Sequence, residues 1–158
     1  MVDNEPGVLA RVVGLFSGRG YNIESLSVSE VDSHKFLSRI TIVTSGTKII
    51  IDQIKAQLSK LIPVHNLVDI SELKSFIGKE LILIKLNVKN KSTFDFKKKL
   101  ESIGVEIIFE DGIELIIQFA GSPNEIVKIE KILKPFKIIE QTRTGLASRT
   151  TGTKYIKK

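Results

Sequence analysis

The sequence predicts an α+β fold built from two units that share the element order βαββαβ. Apolar residues change repeatedly between helical spacing and strict alternation along the chain, which is typical of mixed helices and strands. The pattern restarts after a segment without strong periodicity, residues 73–79, which we interpret as a linker. A hydrophobic content of 42% in 158 residues is enough for packed cores. We therefore expect domains at 1–72 and 80–158, the second ending in a basic tail.

The first unit is predicted to begin with a helix over residues 6–18, where apolar side chains recur on one helix face. Alternating residues then predict an antiparallel hairpin over 26–42. Helical spacing returns at 51–61, and Pro63 ends that helix. A short strand is predicted over 64–70. The first unit thus has the order helix, strand, strand, helix, strand.

The second unit is predicted to open with a strand over 80–88 and a helix over 92–103. A hairpin follows over 105–119, then a helix starting at Ser122 and a closing strand over 136–141. The order is βαββαβ, a split-βαβ or ferredoxin-like arrangement.

Two local signals fix the second unit most sharply. Asp111-Gly112 is the dipeptide that favours a tight hairpin turn. Ser122 and Glu125 form a capping-box pattern with Pro123 at the first helical position, so that each of the two side chains can bond the other residue's amide.

The expected strand order in each unit is 4-1-3-2, because crossover connections are right-handed. The opening strand therefore lies in the middle of its sheet. In the first unit that strand is reduced to Met1-Val2. Either residues upstream of Met1 exist in the natural chain, or this unit takes its pairing from elsewhere.

Composition excludes several classes of function. The chain has no cysteine, so disulfides, thiol nucleophiles and cysteine-ligated zinc are excluded. No apolar run approaches the roughly 20 residues that span a bilayer, and no secretory leader is visible, so we expect neither membrane insertion nor secretion. The two histidines, His34 and His65, have no second ligand at metal spacing and no triad partner. We expect no catalytic and no metal-binding residue on this chain.

The net charge of +6 is concentrated in the second half, where residues 73–158 carry a balance of +7 against −1 for residues 1–72. The excess is lysine, which together with 24 isoleucines indicates a compositional bias. An alternative is RNA binding on the exposed sheet of the second unit. RNA-recognition modules stack bases on aromatic side chains of the central strands, however, and the strand over 80–88 has none.

The most informative segment for function is the turn at residues 3–9, which leads into the first helix. Gly7 replaces a better helix former at a cost of about 1 kcal/mol, which suggests that something approaches the backbone there. The amides of Gly7, Val8 and Leu9 would be unbonded at the positive end of the helix dipole, a seat for a small carboxylate. Asn4 adds a side-chain amide. The alternative is a structural turn with Asn4 as the helix cap and Gly7 packed against a neighbouring strand.

The chain resembles a known family in three stretches: DNEPGVLARVVGLFSGRGYNIESL, LSRITIV and QIKAQLSKLIPVHNLVDI. They are similar to the regulatory (small) subunit of acetolactate synthase, also called acetohydroxyacid synthase, whose first half is an ACT domain. The resemblance covers residues 2–72 and continues more weakly over 80–141. Arg143-Thr144-Gly145 is similar to the family's closing stretch. The family normally opens with about one apolar strand ahead of the turn, where only Met1 and Val2 stand here.

The resemblance implies a non-catalytic partner of a large catalytic subunit that condenses 2-oxo acids. This large subunit would carry thiamine diphosphate, magnesium and FAD, and this chain no cofactor. The small subunit would raise the activity and make it sensitive to a branched-chain amino acid, typically valine. It also implies a cytoplasmic protein of bacterial type or a plastid equivalent, with no nucleic-acid or membrane partner.

The resemblance further implies a homodimer through the ACT domain, with the effector held at the interface. Asn4 and Gly7 would come from one protomer and Asn22 from the other, with Ile23 near the effector side chain. The helix start at Gly7 to Leu9 would take the carboxylate, either asparagine the ammonium, and apolar neighbours such as Val8 the isopropyl group. A rival hypothesis is a free-standing amino-acid sensor of ACT type with another output. The effector-binding residues expected overall are Asn4, Gly7, Val8, Leu9, Asn22 and Ile23.

Overall fold

The computed structural model describes residues 1–73, 75–89 and 94–151. The chain divides into two compact units, the first comprising Met1–Ile77 and Leu146–Lys158, the second Gly78–Gly145. The C-terminal segment from Leu146 thus belongs with the first unit, whereas the sequence analysis assigned it to the second. The reason is chain pairing: the Thr151 amide donates to the Ser75 carbonyl, and the Leu146 amide donates to Ser25 Oγ.

The first unit contains a small antiparallel sheet with two helices on one face. Its strands have the order β1-β3-β2, and Val2 also forms an isolated antiparallel bridge with Val64. The elements are β1 (Val2–Asp3), α1 (Val8–Ser17), β2 (Ser25–Asp32), β3 (Leu37–Val43), α2 (Lys48–Leu58) and a 3-10 turn (Ile70–Glu72).

The second unit contains a larger antiparallel sheet in the order β5-β6-β4-β7. The elements are β4 (Phe76–Asn87), α3 (Phe94–Ser102), β5 (Glu106–Glu110), β6 (Glu114–Gly121), α4 (Pro123–Leu133) and β7 (Lys137–Arg143). The last strand, β8 (Ala147–Thr150), belongs with the first unit and pairs with β4, whose first residues Phe76 and Ile77 also belong to that unit.

The predicted 4-1-3-2 order is confirmed in the second unit, where β7, β4, β6 and β5 are the fourth, first, third and second strands. In the first unit, β1 lies between β3 and the bridge at Val64. The two ferredoxin-like units are therefore present, with Met1–Asp3 in the middle position of the first sheet.

Four predicted boundaries are wrong. The helix predicted over 51–61 runs from Lys48 to Leu58, because the Thr47 side chain caps its start, and it ends before Pro63 is reached. The linker at 73–79 overlaps β4, which begins at Phe76, because a strand that the sequence did not predict, β8, also pairs with β4. The strand over 64–70 is only the bridge at Val64, because its partner β1 has two residues to pair with. The first helix begins at Val8 rather than at Pro6, and Gly7 is its N-cap. The start of the helix predicted over 92–103 lies outside the described residues, and α3 is described from Phe94.

Each unit has its own apolar core. In the first, helix residues such as Phe16 and Ile54 pack against the sheet residues Ile40 and Ile42. The second core is larger and consists of alternate residues of β4 and β6 covered by α3 and α4. Its buried members are Ile82, Ile84, Leu86, Val88, Leu100, Val105, Leu115, Ile117, Phe119, Ile126, Ile129 and Leu133.

The two local signals of the second unit are confirmed. Asp111 Oδ1 accepts the amides of Ile113 and Glu114 at 2.9 and 2.7 Å, which closes the hairpin turn. At the start of α4, Ser122 Oγ accepts the Glu125 amide, and Glu125 Oε2 accepts the Ser122 amide at 2.7 Å. These bonds satisfy amides that the helix itself leaves unpaired.

Candidate functional site

Gly7 stands immediately before α1 with φ of +86° and ψ of −12°. This left-handed conformation is accessible to glycine at little cost and strains residues that carry a Cβ. A Cβ built on Gly7 would meet nothing within 4 Å. The structural alternative, in which Gly7 packs against a neighbouring strand, is therefore wrong, and the approach of a ligand stays a prediction. The backbone turn requires the glycine, and the space above Gly7 is open.

The start of α1 retains hydrogen-bond donors. The Val8 amide bonds the Glu5 carbonyl at 3.3 Å, so the expectation that it is unbonded is wrong. Among the described residues, the amides of Gly7 and Leu9 have no partner, and no side chain caps the helix. These amides lie at the positive end of the helix dipole, where an anion is favoured.

Asn4 is fixed to the hairpin between β2 and β3. Its backbone amide donates to the Phe36 carbonyl at 2.6 Å, and its Oδ1 accepts from Ser38 Oγ at 2.9 Å. Asn4 is therefore not the cap of α1, which was the structural alternative considered from sequence. Its side chain lies at the surface beside the turn that leads to Gly7.

The apolar residues of the predicted site differ in exposure. Val8 is 4% exposed and Leu9 40% exposed, so Leu9 offers most of the apolar surface at the start of α1. Ile23 is partly buried and packs against the core of the first unit.

Asn22 and Ile23 lie beyond the opposite end of α1 from Asn4 and Gly7. The helix has 10 residues, which corresponds to a length of about 15 Å. The Asn22 carbonyl accepts from Thr44 Oγ1 at 2.6 Å, which ties this loop to the end of β3. One copy of the chain therefore brings Asn4, Gly7, Val8 and Leu9 together and leaves Asn22 and Ile23 apart from them.

A cavity of about 670 Å³ lies elsewhere in the first unit, between β3 and the segment 64–71. Its lining is mainly apolar and includes Arg39, whose Nε is buried without a hydrogen-bond partner. None of the six predicted effector residues lines it. We therefore place the candidate site at the turn before α1, where unpaired donors face open space.

Within the described ranges, no group of three or more His, Asp or Glu side chains is placed to hold a metal ion. His65 Nε2 lies 2.5 Å from Asp3 Oδ1, an exposed pair near the strand bridge. In the same part of the chain, no helix has the length and apolar character needed to cross a membrane.

The sequence did not reveal Phe36 and Ser38, the two residues that hydrogen-bond to Asn4. Both lie in β3 or in the turn before it, more than 30 residues along the chain. The available signal was the alternation of β3, which places Ser38 among apolar neighbours on a buried strand start.

Two ferredoxin-like units, the first with an anion-attracting helix start beside a strand-bound asparagine, define a two-domain protein with an ACT domain at its N-terminus. Residues 1–66 match the family described as AHAS small subunit-like ACT domain. Residues 79–150 match the family described as small subunit of acetolactate synthase. The chain belongs to the acetolactate synthase small subunit family.

Similar proteins match over nearly their whole length. The acetolactate synthase small subunit of Buchnera aphidicola subsp. Baizongia pistaciae is 40% identical over 154 residues, 94% of this chain and 92% of that protein. The isozyme 3 small subunit of Salmonella typhimurium is 33% identical, covering 99% and 96%. The crystal structure of the Thermotoga maritima small subunit matches with a TM-score of 0.82 at 28% identity, covering 96% and 94%.

Proposed function

We propose that this chain is a regulatory subunit that binds the large catalytic subunit of acetolactate synthase and has no active site of its own. It raises the activity of that subunit in the cytoplasm and makes it sensitive to a branched-chain amino acid, with valine as the first candidate. The observation that carries the proposal is the match of both units, residues 1–66 and 79–150, to small-subunit families.

The proposed effector site is formed by two copies of the ACT domain. The start of α1, with the unpaired Gly7 and Leu9 amides, binds the α-carboxylate. Asn22 and Ile23 of the facing copy complete the site, because a single copy leaves them at the far end of α1. The ammonium group binds Asn22 or nearby carbonyls, and Val8, Leu9 and Ile23 contact the branched side chain.

The expected affinity is modest. A charge-assisted hydrogen bond contributes about 1.5–3 kcal/mol, and burial of a small apolar side chain contributes about 1.5–3 kcal/mol more. The loss of translational and rotational freedom offsets much of this sum. Micromolar to millimolar binding follows, which suits a sensor of a metabolite pool.

Regulation then follows from linkage. If valine binds one arrangement of the ACT dimer more tightly than another, it shifts the dimer toward that arrangement. The catalytic subunit bound to the dimer responds, and by reciprocity its presence changes valine affinity. Thiamine diphosphate, magnesium and FAD belong to the large subunit in this proposal and supply the chemistry there.

The test is reconstitution with a purified large subunit from a related bacterium. We expect this chain to raise acetolactate formation, and valine to lower the raised activity with a saturable curve. Asn4→Ala is expected to shift the valine curve to roughly 10- to 150-fold higher concentration, the loss of one charge-assisted hydrogen bond, and to leave activation intact. Absence of both association and activation would refute the regulatory role, and a valine curve unchanged by Asn4→Ala would remove Asn4 from the site.

A further inference from the structure

Ser38 and Glu80 are the two buried polar or charged residues in the described part of the chain. Glu80 has an evident structural role, because Arg143 bonds it twice and joins β7 to β4. Ser38 is 4% exposed, and its hydroxyl bonds a surface residue instead, Asn4. The buried Ser38 hydroxyl bonds a residue of the candidate effector site, which indicates that Ser38 contributes to that site.

The strand register explains the contact. Ser38 lies opposite Val2 in the antiparallel pair of β1 and β3. Asn4 follows Val2 by two residues and so lies on the same face, diagonal to Ser38 and within reach of its side chain. The Phe36 carbonyl binds the Asn4 amide at 2.6 Å, so β3 and the turn before it hold Asn4 at two points.

The direction of this bond limits what Asn4 can recognise, because Ser38 occupies one of the two acceptor sites of Oδ1 and neither donor of Nδ2. A carboxamide has one oxygen that accepts and one NH2 group that donates. Ser38 Oγ donates to Asn4 Oδ1, whereas no described residue accepts from Asn4 Nδ2. Asn4 therefore presents a hydrogen-bond donor beside the unpaired amides at the start of α1. A donor suits a carboxylate, and it does not suit an ammonium group.

We propose that Ser38 is a positioning residue that turns Asn4 into a donor for the carboxylate of the bound amino acid. Ser38 does not touch the ligand and acts only through Asn4. The inference rests on the proposed effector site and assigns Asn4 to the carboxylate, leaving the ammonium to the facing copy.

The test is calorimetric titration of the full chain with valine. We expect Ser38→Ala to weaken valine binding about fivefold to tenfold, the loss typical of one oriented hydrogen bond. In an Asn4→Ala background the same substitution is expected to change nothing, because the residue through which it acts is gone. Ser38→Thr, which keeps the hydroxyl, is expected to bind valine as tightly as the wild-type chain does. Ser148→Ala is the matched control, because Ser148 Oγ is buried without a partner.

Asn4→Asp separates the two possible roles of Asn4 without altering the core. A carboxylate keeps the acceptor for Ser38 and removes the donor, so valine should bind Asn4→Asp more weakly than Asn4→Ala. Tighter binding to Asn4→Asp would assign Asn4 to the ammonium and overturn the proposal, even if Ser38→Ala fails to fold.

Additive losses for Ser38→Ala and Asn4→Ala would also overturn the proposal. If the wild-type chain binds valine and Ser38→Ala matches it, only the positioning role fails. If the wild-type chain binds none of valine, leucine and isoleucine, both the positioning role and the proposed effector site are refuted.

Discussion

Gly7→Asp tests the proposed carboxylate seat, and Gly104→Asp is its matched control in the second unit. Gly7 has φ of +86° and Gly104 φ of +80°, and a Cβ at either position would meet nothing within 4 Å. The two substitutions therefore introduce the same backbone strain without a clash. The strain alone lowers the free energy of unfolding of each unit by about 1 kcal/mol, the lower end of the left-handed penalty. The helix dipole offsets this by about 0.3–1 kcal/mol for an anion at the start of α1 and adds to it for an anion after the end of α3.

The two variants should differ in valine response. Gly7→Asp places a negative charge at the start of α1, where the ligand carboxylate would lie. It cancels an attraction of about 1.5–3 kcal/mol, which corresponds to roughly 10- to 150-fold weaker binding. Repulsion between two anions at the surface adds to this loss and is reduced by salt. Gly104→Asp puts the same charge in the other unit and should leave valine affinity unchanged.

The assay pairs valine inhibition of the reconstituted enzyme with thermal unfolding of each variant. The expected result is a smaller stability loss in Gly7→Asp than in Gly104→Asp, because the carboxylate is favoured at the start of α1 and disfavoured after the end of α3. Desensitisation is expected in Gly7→Asp alone. Equal desensitisation by Gly104→Asp would show that stability rather than charge controls the response. Full inhibition of Gly7→Asp would remove the start of α1 from the site.

Three further predictions concern the second unit, each measured by urea unfolding. Ser122→Ala removes the cap of α4 and should cost about 1 kcal/mol. Hydrogen bonding from the Ser122 amide, then from its hydroxyl and from Lys79, lowers the pKa of Glu125 from 4.5 to about 2. The stabilisation that ionised Glu125 contributes is therefore present above pH 4.5 and is lost as the pH falls toward 2. Glu125→Gln should lose less free energy of unfolding between pH 5 and 2 than the wild-type chain does. An equal loss in both proteins would contradict this. Leu115→Ala, at a fully buried position, should cost about 2–5 kcal/mol, and a cost under about 1 kcal/mol would mean that the core collapses around it.

The second unit was predictable because its signals are local. The Asp-Gly turn, the capping box and the alternation of β4 each involve residues within a few positions of one another. Each also agrees with the sheet that the whole unit forms, which is the condition for reliable inference from sequence. Boundaries shifted by one to four residues, as at β4, because strand ends depend on partners from other parts of the chain.

The last strand of the first unit was not predictable from its own residues. Residues 64–70 have the apolar content of a strand, yet only Val64 pairs, with Val2. A strand needs a partner along its length, and β1 has two residues. The length of one strand thus limited another that lies about 60 residues away along the chain.

The candidate site was also predictable only in part. The glycine and the helix start were visible in the sequence, but the reason for Gly7 was its positive φ, a backbone property that residue spacing does not reveal. The orientation of Asn4 depends on Ser38 and Phe36, which the register of β1 and β3 brings to it. Such contacts cannot be predicted from strand positions alone, because they depend on the register in which the two strands pair.

The excess of lysine in the second unit bears on the rival hypothesis of RNA binding. Several lysines pair with carboxylates at the surface: Lys85 with Glu114 at 2.7 Å and Lys79 with Glu125 at 3.1 Å. Base stacking would need exposed aromatic rings on the central strands β4 and β6. Phe119, the aromatic residue of β6, is 9% exposed and belongs to the core. The aromatic residue of β4, Phe76, lies at its start in the part that belongs to the first unit, and residues 78–87 contain none. The charge of this unit is therefore better explained by a solvated lysine-rich surface than by a nucleic-acid platform.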